Sequence, residues 1–122
     1  MPQITLRVSE ATFKKLQESA DAKNLTVTDY LISQSLPQYI DEIVTVDKVL
    51  DKLSTKVSGD IFSIKDLFST DDWNNFTPGS RISTGRLFYQ AYDKNQFNLK
   101  AIIEFLGKNS ANLAIYKKLT NY

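Results

Sequence analysis

The chain has 122 residues, with 15 Lys+Arg against 14 Asp+Glu, a formal charge of +1, and neither Cys nor His. Without those two residue types there is no disulfide framework, thiol nucleophile, imidazole base or thiolate metal site, so no catalytic centre, metal or cofactor is expected. The near-neutral balance also gives no overall basic footprint for nucleic acid, so any such contact must rest on where particular residues sit.

This length suits one ordinary domain or two very small ones. A module under about 60 residues is marginal alone, and without Cys a partner chain is its natural remedy. No apolar run approaches the ~20 residues of a membrane span, and the N-terminus carries no secretory apolar region. A soluble cytoplasmic protein without membrane contact is expected. Lysine outnumbers arginine 12 to 3 and there are 8 Asn, a bias towards AT-rich codons that suits a low-GC bacterial or mobile-element source.

Residues 3–8 alternate strictly. Ile4, Leu6 and Val8 share one face, and Gln3, Thr5 and Arg7 share the other, the period of a half-buried strand. Ser9 is placed to cap a helix over 10–23, with Phe13, Leu16 and Ala20 on one face and Asn24 as its left-handed stop. Thr26 and Asp29 have the spacing of a capping box for a second helix over 27–36, which would bury Val27, Tyr30 and Leu31. Pro37 interrupts it. Residues 38–54 read as one further helix. Its charges, three Lys against four acids in 37–56, do not make a basic arm. It either packs as a connector on a module or joins two subunits.

From Ser58-Gly59-Asp60 the pattern resets. Residues 61–64 suggest a short strand, followed by a capped helix from Ser63 to Phe68. Thr70-Asp71-Asp72-Trp73 begins another helix with Trp73 and Phe76 inward, and Thr77-Pro78-Gly79-Ser80 reads as a turn. A helix follows over 83–92. Two extended runs, 99–106 and 113–119, flank a polar loop as a β-hairpin. The fold class expected is therefore mainly α with short β: a module at 1–37, a connecting helix at 38–56 and a small α+β, winged-helix-like domain at 57–122.

A lone six-residue strand is not stable, and no second strand follows before residue 60. Pairing with the same strand of another copy solves this. It sets Gln3, Thr5 and Arg7 of both chains on the open face of a two-stranded ribbon. The DNA major groove admits such a ribbon, where Arg reads guanine, Gln reads adenine and Thr meets a base or the thymine methyl. The backbone amides at Val27 and Thr28, with the hydroxyls of Thr26 and Thr28, are placed to hold a phosphate. Lys14 adds attraction, although Lys14 and Lys15 equally suit a solvated face. In 1–36 four basic residues meet four acids, so phosphate attraction is local.

Strand, Ser9 cap, helix, Asn24 stop and Thr26–Asp29 cap, in that order, resemble the ribbon-helix-helix family of DNA-binding proteins over residues 2–36. Arc-like members alternate Gln, Asn and Arg at the base-reading positions; here Thr5 stands in place of Asn. The resemblance implies an intertwined homodimer on double-stranded DNA, with dimers pairing into tetramers there. Residues 57–122 resemble a small uncharacterised bacterial domain through 62–68, Trp73, Pro78-Gly79, Gly85-Arg86-Leu87-Phe88 and the hairpin ending at Tyr116. That resemblance implies no reaction.

If the second module is winged-helix-like, Ser80, Arg81, Ser83, Thr84 and Arg86 stand at the start of its DNA-facing helix and Lys108 on its wing. Arg7, Arg81 and Arg86 are the only arginines. The competing reading pairs Arg81 and Arg86 with Asp60, Asp66, Asp71 or Asp72 inside a structural module. Those acids are better explained as helix-start caps than as magnesium ligands. A dimeric transcriptional repressor is the first functional expectation. The alternative is an accessory protein of a plasmid relaxosome or partition complex, which binds an origin and recruits a protein partner through 57–122. An antitoxin is a third reading, weakened by the ordered look of the C-terminal part.

Overall fold

The computed structural model describes residues 2–119. It is mainly helical, with one small three-stranded antiparallel sheet.

The N-terminal elements follow their caps. Helix α1 spans Glu10–Ala22, and Ser9 accepts the Thr12 amide at its start. Asn24 then adopts φ 53°, the left-handed stop that its short polar side chain tolerates. Thr26 accepts the Asp29 amide at 3.1 Å and opens α2, Val27–Ser35. The capping box is only half made. The Asp29 carboxylate instead accepts the Tyr39 hydroxyl at 2.9 Å.

Within the single chain, residues 2–9 make no strand ladder. The cause is physical: a strand is held by ladder hydrogen bonds to a neighbour, and within the described chain this segment meets none.

Residues 38–54 are not one helix. Pro37–Glu42 form a 3-10 turn, 43–45 run extended, and α3 occupies Val46–Leu53. Ile43-Val44-Thr45 is a β-branched run, which disfavours helix, and Thr45 caps the new helix by accepting the Lys48 amide at 3.2 Å. Val44, Val46, Val49 and Leu53 enter the main core beside Phe62, Phe88, Ile103 and Tyr116. The segment expected as a connector thus supplies one wall of the C-terminal core. Neither α1 nor α2 contributes to that core, and no residue of α2 is buried.

Strands β1 (Ile61–Phe62), β2 (Ile103–Lys108) and β3 (Ala114–Lys118) form a sheet of order β1-β3-β2. Tyr116 on the central strand stacks on Phe62 at 6.1 Å and meets Phe88 edge-on at 5.3 Å. Between β1 and β2 lie a 3-10 turn at Ile64–Leu67, α4 (Thr70–Asn75), α5 (Pro78–Asp93) and α6 (Leu99–Ile102). Ser63 and Asp66 make a complete capping box.

Two other expectations change. Thr77-Pro78-Gly79-Ser80 is the start of α5 rather than a turn. Thr77 accepts the Ser80 amide, and Pro78 sits where its missing N–H costs nothing. Residues 99–102 are helical, because Leu99 and Ile102 lie three apart and both reach the core. The Asn95 side chain fixes this turn by accepting the Lys100 amide at 2.9 Å.

Lys118 is wholly buried. Its ammonium donates to the carbonyls of Leu53 at 2.8 Å and Lys56 at 3.2 Å, closing the C-terminal end of α3 as a cation should. Desolvation lowers its pKa, against a smaller opposing effect of Asp60.

Candidate nucleic-acid interface

The first candidate surface is the N-terminal segment. Gln3, Thr5 and Arg7 are all exposed. So are the residues between them: Ile4 is 87% accessible, Leu6 65% and Val8 47%. Phe13 on α1 is also exposed. An apolar stripe open on this scale, continuous with a helix face, is a surface that seeks a partner. In the first two helices and the turn that joins them, only Ala20 and Leu25 are buried.

The second surface is the start of α2. The first-turn amides of a helix have no intrahelical acceptor, and the helix dipole favours an anion there. Thr28 is exposed and Thr26 and Val27 are half-buried. These three line a cleft of ≈ 290 Å³ together with Phe13, Asp21, Leu87 and Arg86. Tertiary packing therefore places Arg86, from the middle of α5, across from the Thr26–Thr28 turn. Sequence spacing held no signal for this, because the two segments lie far apart in the chain. Lys14 is exposed on α1 but does not line the cleft.

The remaining candidates separate. Ser80 and Thr84 are not placed to touch DNA. Both are buried, and they clamp one residue: Ser80 Oγ accepts the Val44 N–H at 3.2 Å and Thr84 Oγ1 donates to the Val44 carbonyl at 2.7 Å. They lie one turn apart on the buried face of α5, so their hydroxyls satisfy backbone that would otherwise lack partners. Arg81 is half-buried, and its Nε meets no acceptor among the described residues. Ser83 is half-buried, Arg86 exposed, and Lys108 exposed at the end of β2.

The acids weighed as magnesium ligands have local duties. Asp60 accepts the Val57 amide and Asp66 the Ser63 amide, each at 2.9 Å. Asp71 and Asp72 sit in the first turn of α4. Among the described residues no group of three or more Asp or Glu is arranged to hold a metal ion.

The joint between the halves is held from both sides. Tyr39 reaches back to Asp29, and the Thr77 amide donates to the Glu42 carbonyl at 3.0 Å. Lys48 donates to the carbonyls of Ile40 and Ile43, both at 2.7 Å, and its ammonium lies 5.1 Å from the centre of the Phe76 ring. Burial lowers the Lys48 pKa. Burial, and then the Asp29 carboxylate, push the Tyr39 hydroxyl up to about 12.

Two family models match the chain. One, described as a domain of unknown function, DUF1413, covers residues 47–118. The other, described as mobilization protein NikA, covers residues 2–59. No curated protein and no solved structure matches. Among the described residues no helix is long and apolar enough to cross a membrane.

Proposed function

The chain belongs to the DUF1413 family through residues 47–118, and we propose that it is a DNA-binding accessory protein of plasmid mobilization. Two copies pair their N-terminal strands into a ribbon. Gln3, Thr5 and Arg7 of each read the major groove of a double-stranded origin region. The observation that carries this reading is the alternating segment 3–8. Its apolar side, Ile4, Leu6 and Val8, lies open in one chain, and its polar side carries base-reading residue types. The match of residues 2–59 to a mobilization protein family supports the same use. It favours the accessory role over transcriptional repression.

Phosphate contacts in this reading come from the Val27 and Thr28 amides, with Lys14 as a peripheral cation. Arg86 joins them because it lines the same cleft. The winged-helix-like reading of residues 57–122 draws support from the strand order β1-β3-β2 and from α4 and α5 between β1 and β2. Its role is to hold a protein partner and to lend Arg86 to the DNA backbone. Ser80 and Thr84 have no part in it.

Mapping of protected DNA across the region that surrounds the chain's gene tests the proposal. The expected result is protection of an origin of transfer beside the nick site. Protection confined to a promoter would replace mobilization by repression. Absence of any specific protection would remove the ribbon reading itself.

A further inference from the structure

The sheet of the C-terminal domain has two faces. The inner face carries Phe62, Phe105 and Tyr116 and packs on the helices. An antiparallel sheet covered on one side normally alternates apolar inward with polar outward. This one does not. Tyr116 points inward, so the outward positions of β3 and its immediate continuations are 113, 115, 117 and 119, which read Leu, Ile, Lys, Leu. On β1 the outward residue is Ile61, 63% accessible. On β2 the outward residues are Glu104, which stands directly opposite Lys117 in the register, and Gly107, opposite Ile115, while Ile61 stands opposite Lys117 on the other side. The outer positions along the central strand thus carry three apolar residues around one lysine, more apolar than a solvated sheet face.

We propose that this outer sheet face is an interface between two copies of the chain, distinct from the N-terminal ribbon. The charges select the occupant. The face holds one acid and one base side by side on neighbouring strands, amid apolar residues. It has no net charge to attract nucleic acid or an anionic lipid surface, and no single-sign patch to fit an acidic or basic peptide. It is complementary to itself. A two-fold axis running along the strands between Glu104 and Lys117 sets each Glu104 against the other copy's Lys117. Such an isologous contact repeats every favourable pair twice. Leu113, Ile115 and Leu119 supply the apolar area around those pairs.

The inference stands apart from the function proposed above, and one experiment separates their failures. The full chain carrying Leu6→Glu, which disrupts the ribbon's apolar side, is studied by sedimentation velocity over a concentration series. Far-UV melts check that each variant folds. The expected result is continued self-association. Adding Glu104→Lys or Lys117→Glu weakens it about 100-fold, because each variant sets like charges together twice. An equimolar mixture of those two variants recovers the parent's association, since every cross-copy pair is then opposite in sign. The proposal is overturned if the mixture associates no better than either variant alone, or if the Leu6→Glu parent stays monomeric at about 1 mM. Failure of the ribbon reading has another signature: Leu6→Glu then leaves both assembly and DNA binding as in the unaltered chain.

Discussion

Thr84 and Val44, 40 positions apart, share a buried hydrogen bond of 2.7 Å, and Ser80 one turn earlier accepts the backbone N–H of the same residue. This clamp fixes the extended stretch 43–45 on α5 and so sets where α3 begins. Thr84→Val keeps the shape and removes the donor, leaving a buried carbonyl unsatisfied. It should destabilise the protein by about 1–3 kcal/mol, read as a lower urea midpoint with unchanged slope. The salt dependence of DNA binding should stay as it was, because the hydroxyl faces protein.

Arg7→Ala should weaken binding to the cognate site by about 1–3 kcal/mol and relax preference at one base pair. Gel-shift titration against a set of single-base variants of the site measures both. Unchanged affinity would mean that the exposed N-terminal segment does not read bases.

Arg86→Ala tests the cleft shared with Thr26, Val27 and Thr28. Losing one phosphate contact should lower the slope of log affinity against log salt by about 1, with little change in sequence preference. Ser83→Ala, on the same helix, should leave the slope alone. If Arg86→Ala also leaves it alone, the C-terminal domain contributes nothing to the DNA backbone.

Tyr39 gives a pH signature. Its hydroxyl, normally near 10, is pushed up to about 12 by burial and the bond to Asp29. The folded protein therefore keeps this proton where the unfolded chain loses it. The stabilisation is complete below pH 10 and is lost as pH rises towards 12. Lys118 has the opposite sign. Its lowered pKa makes the unfolded chain bind more protons just below 10.5, so stability rises with pH there. Thermal melts of Tyr39→Phe should show a flatter decline above pH 10 than the unaltered protein. Lys118→Met should lose the gain below 10.5. A Tyr39→Phe curve parallel to the parent's would show that the tyrosine keeps its ordinary acidity.

What the sequence disclosed was local. Ser9, Asn24, Thr26 and Ser63 act within three or four residues, so their spacing alone placed α1, α2 and the 3-10 turn after β1. The hairpin of β2 and β3 was legible for the same reason, since its strands are joined by a short polar loop. The misreadings had distant causes. Ser80 and Thr84 look like an exposed polar helix start until Val44 is brought against them. Pro78 and Gly79 carry turn chemistry, and only the Thr77 cap reveals a helix. Asp29 seemed committed to its own helix, but Tyr39 claims its carboxylate. The strand's period sets Lys118 on the face of Tyr116, but only the packed end of α3 shows why a lysine stands there, with its ammonium on the Leu53 and Lys56 carbonyls. Of the candidate site, the alternation at 3–8 was visible at once. The approach of Arg86 to Thr26–Thr28 required the packed helices.

The sheet order β1-β3-β2 has a consequence for how the chain is made. Its middle strand is the last of the three to leave the ribosome, and Lys118 at the end of that strand is also the group that closes α3. Until residues 114–118 emerge, Phe62, Phe88 and Phe105 have no Tyr116 to pack against. The two N-terminal helices, by contrast, contribute nothing to that core. A growing chain therefore exposes its N-terminal helices well before its C-terminal core can close.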